Sequence, residues 1–231
     1  MHSIPRAFDD PCFDDGVRIT HLGHSCVLVE SGGTRLLLDP GNFTADLDAA
    51  RDLDAVLVTH QHPDHLDVER LPGLLASNAN ARLYVEREAM AVADGAGLTA
   101  TPLNAGDTLT LGGVRVEAVG GEHALIHPDI PRVGNVGLVL RPDDGPTLFH
   151  PGDSYGVTPG DVDVLLLPLT APWTSIRETV AFARAVAAPR TVPIHDGGAS
   201  ALGRAVYLRL VSSLVEETSV RDLAGAGPVS W

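Results

Sequence analysis

Apolar residues in this chain come in short runs separated by glycine, proline and polar turn residues, the spacing of strands and not of long helices. Residues 17–21 and 26–29 read as two strands, and Ser31-Gly32-Gly33-Thr34 as the hairpin turn into a third that ends at Asp39-Pro40-Gly41. Ala55-Val56-Leu57-Val58 is apolar without alternation, as in a strand covered on both faces. A helix is predicted over 68–77, interrupted by Pro72-Gly73, then a strand over 82–85 and a helix over 86–93. Strands return at 108–111 and 114–119, around Gly112-Gly113, and at 137–140 and 147–149, around Asp143-Asp144-Gly145. A polar loop, 120–132, lies between these hairpins. A buried strand is predicted at 162–167, a helix at 174–187 with Ile176, Val180, Ala183 and Ala187 on one side, a strand at 191–194 and a helix at 199–215. The C-terminal tail carries no readable pattern.

Strands thus come in two batches, each followed by helices, with no linker or low-complexity tract between them. This predicts one α+β domain over 1–231: a four-layer αβ/βα sandwich in which two mixed sheets face each other beneath outer helices. The 231 residues, 44% hydrophobic, suffice for such a core. Thirty acidic residues stand against 16 basic ones, all arginine, for a net charge of −14. That balance argues against nucleic acid as a partner but not against a small anionic substrate. Two cysteines, Cys12 and Cys26, exclude a disulfide scaffold, and Cys26 sits in an apolar run as a small buried hydrophobe. Residues 1–15 show no apolar leader, and no segment is apolar for the length of a membrane span, so a soluble, cytoplasmic protein is expected, with a homo-oligomer left open.

The chemistry is concentrated after the 55–58 run, in Thr59-His60-Gln61-His62-Pro63-Asp64-His65. Packing does not account for so many imidazoles and a carboxylate, which are costly to bury unpaired and are what a transition metal binds. Further candidates follow at strand ends: His123, Asp153 and His195. One metal needs three or four ligands. The seven groups His60, His62, Asp64, His65, His123, Asp153 and His195 suggest two sites sharing a bridge. No dinucleotide fingerprint after a strand is present.

In this pattern the chain resembles the metallo-β-lactamase superfamily, whose signature is His-x-His-x-Asp-His followed by distal His, Asp and His. The Leu22-Gly23-His24-Ser25-Cys26 opening and Pro193-Ile194-His195 are most similar to the L-ascorbate-6-phosphate lactonase-like branch, to which N-acyl-phosphatidylethanolamine phospholipase D is related. The resemblance implies that His60, His62 and His123 hold one divalent metal and Asp64, His65 and His195 another, with Asp153 bridging. Zinc is favoured, and manganese or iron also suits such ligands. It further implies a hydrolase in which a metal-bridging hydroxide, oriented by Asp64, attacks an ester, lactone or phosphodiester bond of a small molecule. The rivals are an iron redox enzyme of the same fold, similar to sulfur dioxygenases, and a non-catalytic metal-binding module.

Other residues admit plainer roles. His127 competes with His123 for the first metal, but His123 follows the 114–119 strand directly and is preferred; His127 is otherwise a loop residue near the substrate. His24 is either a backbone-bonded histidine or a contact to the metal ligands or substrate. Trp173 either caps the core or faces the pocket. His150 is expected to make a structural hydrogen bond, Asp39 to support the ligands, and Thr174 or Ser175 to cap the following helix. His2 and His21 are expected to have no function.

Overall fold

The structure, a computed structural model, describes residues 16–45, 47 and 50–231; Cys12 and His2 lie outside them. Strands β1 (Val17–Gly23), β2 (Cys26–Ser31), β3 (Thr34–Leu38), β4 (Ala55–Val58), β5 (Arg82–Glu86) and β6 (Thr101–Leu103) lie side by side in chain order. The first three pair antiparallel as hairpins, and β3 to β6 are parallel. The second sheet holds β7 (Thr108–Leu111), β8 (Val114–Gly120), β9 (Val136–Pro142), β10 (Leu148–His150), β11 (Val164–Pro168), β12 (Arg190–Ile194) and β13 (Ser219–Val220), again in order. Finally β14 (Val229–Ser230) returns to the edge of the first sheet, beside β1.

Alternation along the strands sorts side chains into three apolar layers. Leu36, Leu38 and Leu57 point between the sheets, where they meet Leu138, Leu140, Val164 and Leu166. Leu37, Val56 and Val58 point the other way, against α1 (Leu71–Ser77) and α2 (Met90–Gly95). Leu165 and Leu167 likewise face α3 (Ile176–Val186) and α4 (Ala201–Leu214). The result is the four-layer αβ/βα sandwich expected from the sequence. No helix among the described residues is long and apolar enough to cross a membrane.

Where the structure differs from the sequence pattern, the local physics is plain. Pro72 does not interrupt a helix over 68–77; the helix starts at Leu71 and places Pro72 in its first turn, where no backbone N–H is needed. The helix expected over 86–93 is a 3-10 turn, Arg87–Ala89, running into α2, and Glu86 stays in β5 while its carboxylate accepts the N–H groups of Glu88 and Ala89. Strand β6 is short and carries Pro102 at a sheet edge, where proline is tolerated. The tail contributes β13 and β14, each too short for any periodicity, and Trp231 lies near the guanidinium groups of Arg190 and Arg221. Helix α3 is capped by Ser175, whose N–H donates to Glu178 Oε2 at 2.8 Å. Cys26 is buried, and burial pushes its thiol up to about 12, so it packs as a hydrophobe and is not a nucleophile at neutral pH.

Candidate metal centre

The seven residues of the histidine pattern converge at one end of the sandwich, and both sheets contribute. From the first sheet come the β1–β2 turn with His24, the loop after β3 with Asp39, and the turn after β4 with His60 to His65. From the second come the segments after β8, β10 and β12, with His123, Asp153 and His195. Hydrogen bonds tie the two sets together: Val136 N–H donates to Thr59 O at 2.9 Å, and His195 N–H to His24 O at 2.8 Å. His150 serves the same end. Its Nδ1 accepts from Gly152 N–H, which leaves the Nε2 hydrogen to donate across to Ser25 O at 3.0 Å.

Two groups of donor atoms result, each with its atoms within 4.8 Å of one another: His60, His62, His123 and Asp153 in one, His24, Asp64, His65 and His195 in the other. Asp153 lies between them. Its Oδ1 is 3.1 Å from His65 Nε2, and its Oδ2 is 3.0 Å from His195 Nε2 and 3.4 Å from His123 Nε2.

The outward partners of the rings set which nitrogen is free. His65 Nδ1 donates to Asp39 Oδ2 (2.7 Å), His123 Nδ1 to Ala124 O (2.6 Å) and His195 Nδ1 to Thr170 O (2.7 Å). Thr59 gives its single hydroxyl hydrogen to Asp39 Oδ2 and therefore accepts from His60 Nδ1. Each of these four rings thus turns its Nε2 inward, the arrangement that metal-binding histidines adopt. His65 Nε2, His123 Nε2 and Asp153 Oδ1 are buried without a hydrogen-bond partner. Buried orphan atoms of this kind, all nitrogen and oxygen and converging on a common space, fit divalent cations.

His24 is different. Its Nδ1 accepts from Gly197 N–H at 3.0 Å, so in the neutral ring Nε2 carries the hydrogen and donates it to Asp64 Oδ2 at 3.1 Å. Burial lowers the pKa of His24, which keeps the ring neutral. Although it stands within reach of the second group, it has no lone pair to offer and instead orients Asp64.

Electrostatics agree with a cation-binding role. Burial alone raises the Asp153 pKa, but His65 and His195 more than offset it and hold the carboxyl well below the ordinary range. Asp64 is likewise brought down to about 2, against burial, chiefly by the His24 hydrogen bond and His65. Both carboxylates therefore stay ionised. Burial brings His60 well below the ordinary histidine value and lowers His62 too, which favours the neutral form that binds metal, whereas Asp153 raises His65 and His195 against burial, so a cation there would displace their Nε2 protons.

Of the remaining candidates, Trp173 donates Nε1–H to Asp153 Oδ2 at 2.8 Å and presents its ring edge-on to His123 and His195. His127 stands apart: it is exposed, and its Nδ1 accepts from Asp129 N–H. Three contributors carried no signal as ligands. Thr59 fixes the His60 tautomer, Asn135 Oδ1 takes the Asp153 N–H (2.9 Å), and Phe43 stands 5.1 Å from the His24 ring. An aromatic side chain in the polar loop after Asp39-Pro40-Gly41 was the one available hint.

Asp39 supports both groups, since its oxygens take Thr59 N–H, Thr59 Oγ1–H and His65 Nδ1–H. Asp39→Asn is expected to weaken metal affinity by about 10–100-fold, by releasing the orientation of His60 and His65. Competition with a chromophoric chelator measures this, and an unchanged affinity refutes the role.

A model of the beta-lactamase superfamily domain matches residues 18–195. The chain belongs to the metallo-β-lactamase superfamily. Within it, the chain falls among the UPF0173 metal-dependent hydrolases: it is 31% identical to one from Methanosphaerula palustris, over 78% of this chain and 83% of that protein. It is 45% identical to Protein Rv0786c of Mycobacterium tuberculosis, over 83% of this chain and 89% of the relative. The fold is similar to that of Igni18, a metallo hydrolase from Ignicoccus hospitalis, with a TM-score of 0.71 at 20% identity over 93% of this chain and 98% of that one.

Proposed function

We propose that this superfamily member is a dinuclear metal-dependent hydrolase of small molecules, cleaving an ester, lactone or phosphodiester bond. The observation that carries this reading is the place of Asp153, one buried carboxylate whose two oxygens face imidazoles of both donor groups. His60, His62 and His123 would hold one cation, and Asp64, His65 and His195 the other, with Asp153 between. Five imidazoles and two carboxylates without a thiolate suit zinc best, and manganese or iron next. Divalent cations held there supply Lewis acidity and a water acidic enough to yield hydroxide near neutral pH.

The chain's own groups prepare that chemistry. Asp64 stays anionic and is aimed by the His24 N–H, so it can also accept a hydrogen bond from the attacking water. Trp173 holds one Asp153 oxygen in place and covers the centre with an apolar ring. The similarity of the Leu22–Cys26 and Pro193–His195 segments to lactonase-like enzymes supports a lactone among the substrates.

Elemental analysis of metal-replete protein is expected to find about two ions per chain. His62→Ala, at a half-buried position, should lose about one of them and lower hydrolysis by more than the ~100-fold typical of an outer partner. Protein that carries no transition metal, or a variant with unchanged metal content, sinks the reading.

A further inference from the structure

A cleft of about 550 Å³ opens from the second donor group. Its floor is His24, Asp64 and His195, and its walls are Phe43, Ala171, Pro172, Ala199 and Tyr207. Phe43 is 50% exposed, so its ring offers apolar surface at the mouth. No arginine lines this cleft, and the chain has no lysine. The nearby Arg204 is engaged by Asp196 (2.5 Å) and by both oxygens of Asp222 (2.8 and 2.6 Å). The N-terminus of α4 borders the cleft, but Ser200 Oγ takes the Gly203 N–H and Ser200 O takes the Arg204 N–H. A phosphate or a second carboxylate would therefore enter without a side-chain cation to meet it, beside Asp64 and against a net charge of −14.

We infer that this cleft is the apolar subsite of the enzyme, and that the substrate is an uncharged carboxylic ester or lactone bearing an alkyl or aryl group. This rests on the hydrolase reading above and narrows its substrate class away from phosphodiesters. Water adds to the carbonyl carbon, the acyl C–O bond breaks, and the proton released by water goes to the departing alkoxide. The products are a carboxylic acid, which gives up its proton to solvent at neutral pH, and an alcohol, joined as one hydroxy acid when the substrate is a lactone. The charged acid is then formed beside a cleft that does not favour it, which promotes its release.

The test compares methyl acetate with methyl octanoate and octyl acetate, so that the chain is placed on either side of the scissile bond, and adds bis(p-nitrophenyl) phosphate. Proton release or nitrophenol absorbance reports kcat/KM on metal-replete protein. Each methylene withdrawn from water is worth about fourfold. At least one long ester should therefore exceed methyl acetate by about thirtyfold or more. A Cβ on Gly198, which lines the cleft, meets nothing within 4 Å, so Gly198→Phe can fill the space. That variant should bring the long-to-short ratio close to one and weaken calorimetric binding of 2-octanone, a non-hydrolysable neutral probe, by about tenfold. If Gly198→Phe fails to fold, Phe43→Ala at its exposed ring must lower the ratio at least threefold. Faster turnover of the phosphodiester than of either long ester, or a long-to-short ratio within about threefold, overturns the apolar subsite and leaves the hydrolase reading standing. Metal-dependent turnover of none of the four overturns the hydrolase reading and the substrate class with it.

Discussion

Asp153→Asn is expected to empty both cation positions at once, taking the metal content from about two ions per chain toward zero and hydrolysis down far beyond ~100-fold. The side chain keeps its shape but loses the charge that sits against both donor groups. In the native chain the carboxylate is buried, 3% exposed, and His65 and His195 hold it ionised despite that burial. An amide there would turn either its NH₂ or its carbonyl oxygen toward imidazole nitrogens that need an anion. The loop itself should not move, because Asp153 N–H still donates to Asn135 Oδ1 and Asp153 O still accepts Ala124 N–H. Elemental analysis and circular dichroism together decide the matter. A well-folded variant that retains two ions per chain would refute Asp153 as the shared group.

Gly41→Ala tests the scaffold behind the ligands. A Cβ on Gly41 would fall closer than any non-bonded contact permits to the carbonyl C and O of Asp64 and to the N of His65. Those are rigid backbone atoms in the middle of the ligand turn. They cannot step aside cheaply, because Asn42 N–H donates to Pro63 O, Asp67 N–H to Pro40 O, and Arg70 reaches Gly41 O at 2.8 Å. The expected cost is about 3–5 kcal/mol, at the upper end for one substitution. For a domain of this size that lowers Tm by roughly 10 °C. Metal affinity should fall with it, as Asp64 and His65 are pushed off line. Gly73→Ala is the control: its Cβ meets nothing within 4 Å, and as a helical position it should be neutral or slightly stabilising. Calorimetric scans of both variants check the pair, and equal Tm values for Gly41→Ala and the native chain would refute the close-approach argument.

Much of this fold was legible in the sequence because burial on both faces leaves a simple trace. Ala55–Val58 and Val164–Pro168 are central strands, and their uninterrupted apolar runs, followed at once by polar residues, place them directly. Elements that draw stability from position and not from pattern were not legible. Strand β6 contains a proline, and β13 and β14 are held by neighbours that sequence alone does not reveal. The same division runs through the site. His60 to His65 could be read from density alone, and the distal groups from their place at strand ends. The tautomers could not, because each depends on an outward partner remote in sequence or on the backbone: Asp39 for His65, Thr170 O for His195, Gly197 N–H for His24. Nor could Phe43 and Tyr207 be brought to one cleft without the fold that joins the β3–β4 loop to α4.

The division of the donor set between the sheets has a mechanical consequence. His60, His62, Asp64 and His65 come from one sheet, and His123, Asp153 and His195 from the other, so a cation in either group is a rivet through both layers. Sliding one sheet against the other by a fraction of a strand spacing would tear the coordination apart, and coordination in turn resists that slip. Binding free energy therefore becomes docking free energy between the two halves of the sandwich, about 4 kcal/mol when free metal stands a thousandfold above its Kd. The ions that prepare the chemistry would also set how firmly the halves of the molecule hold together.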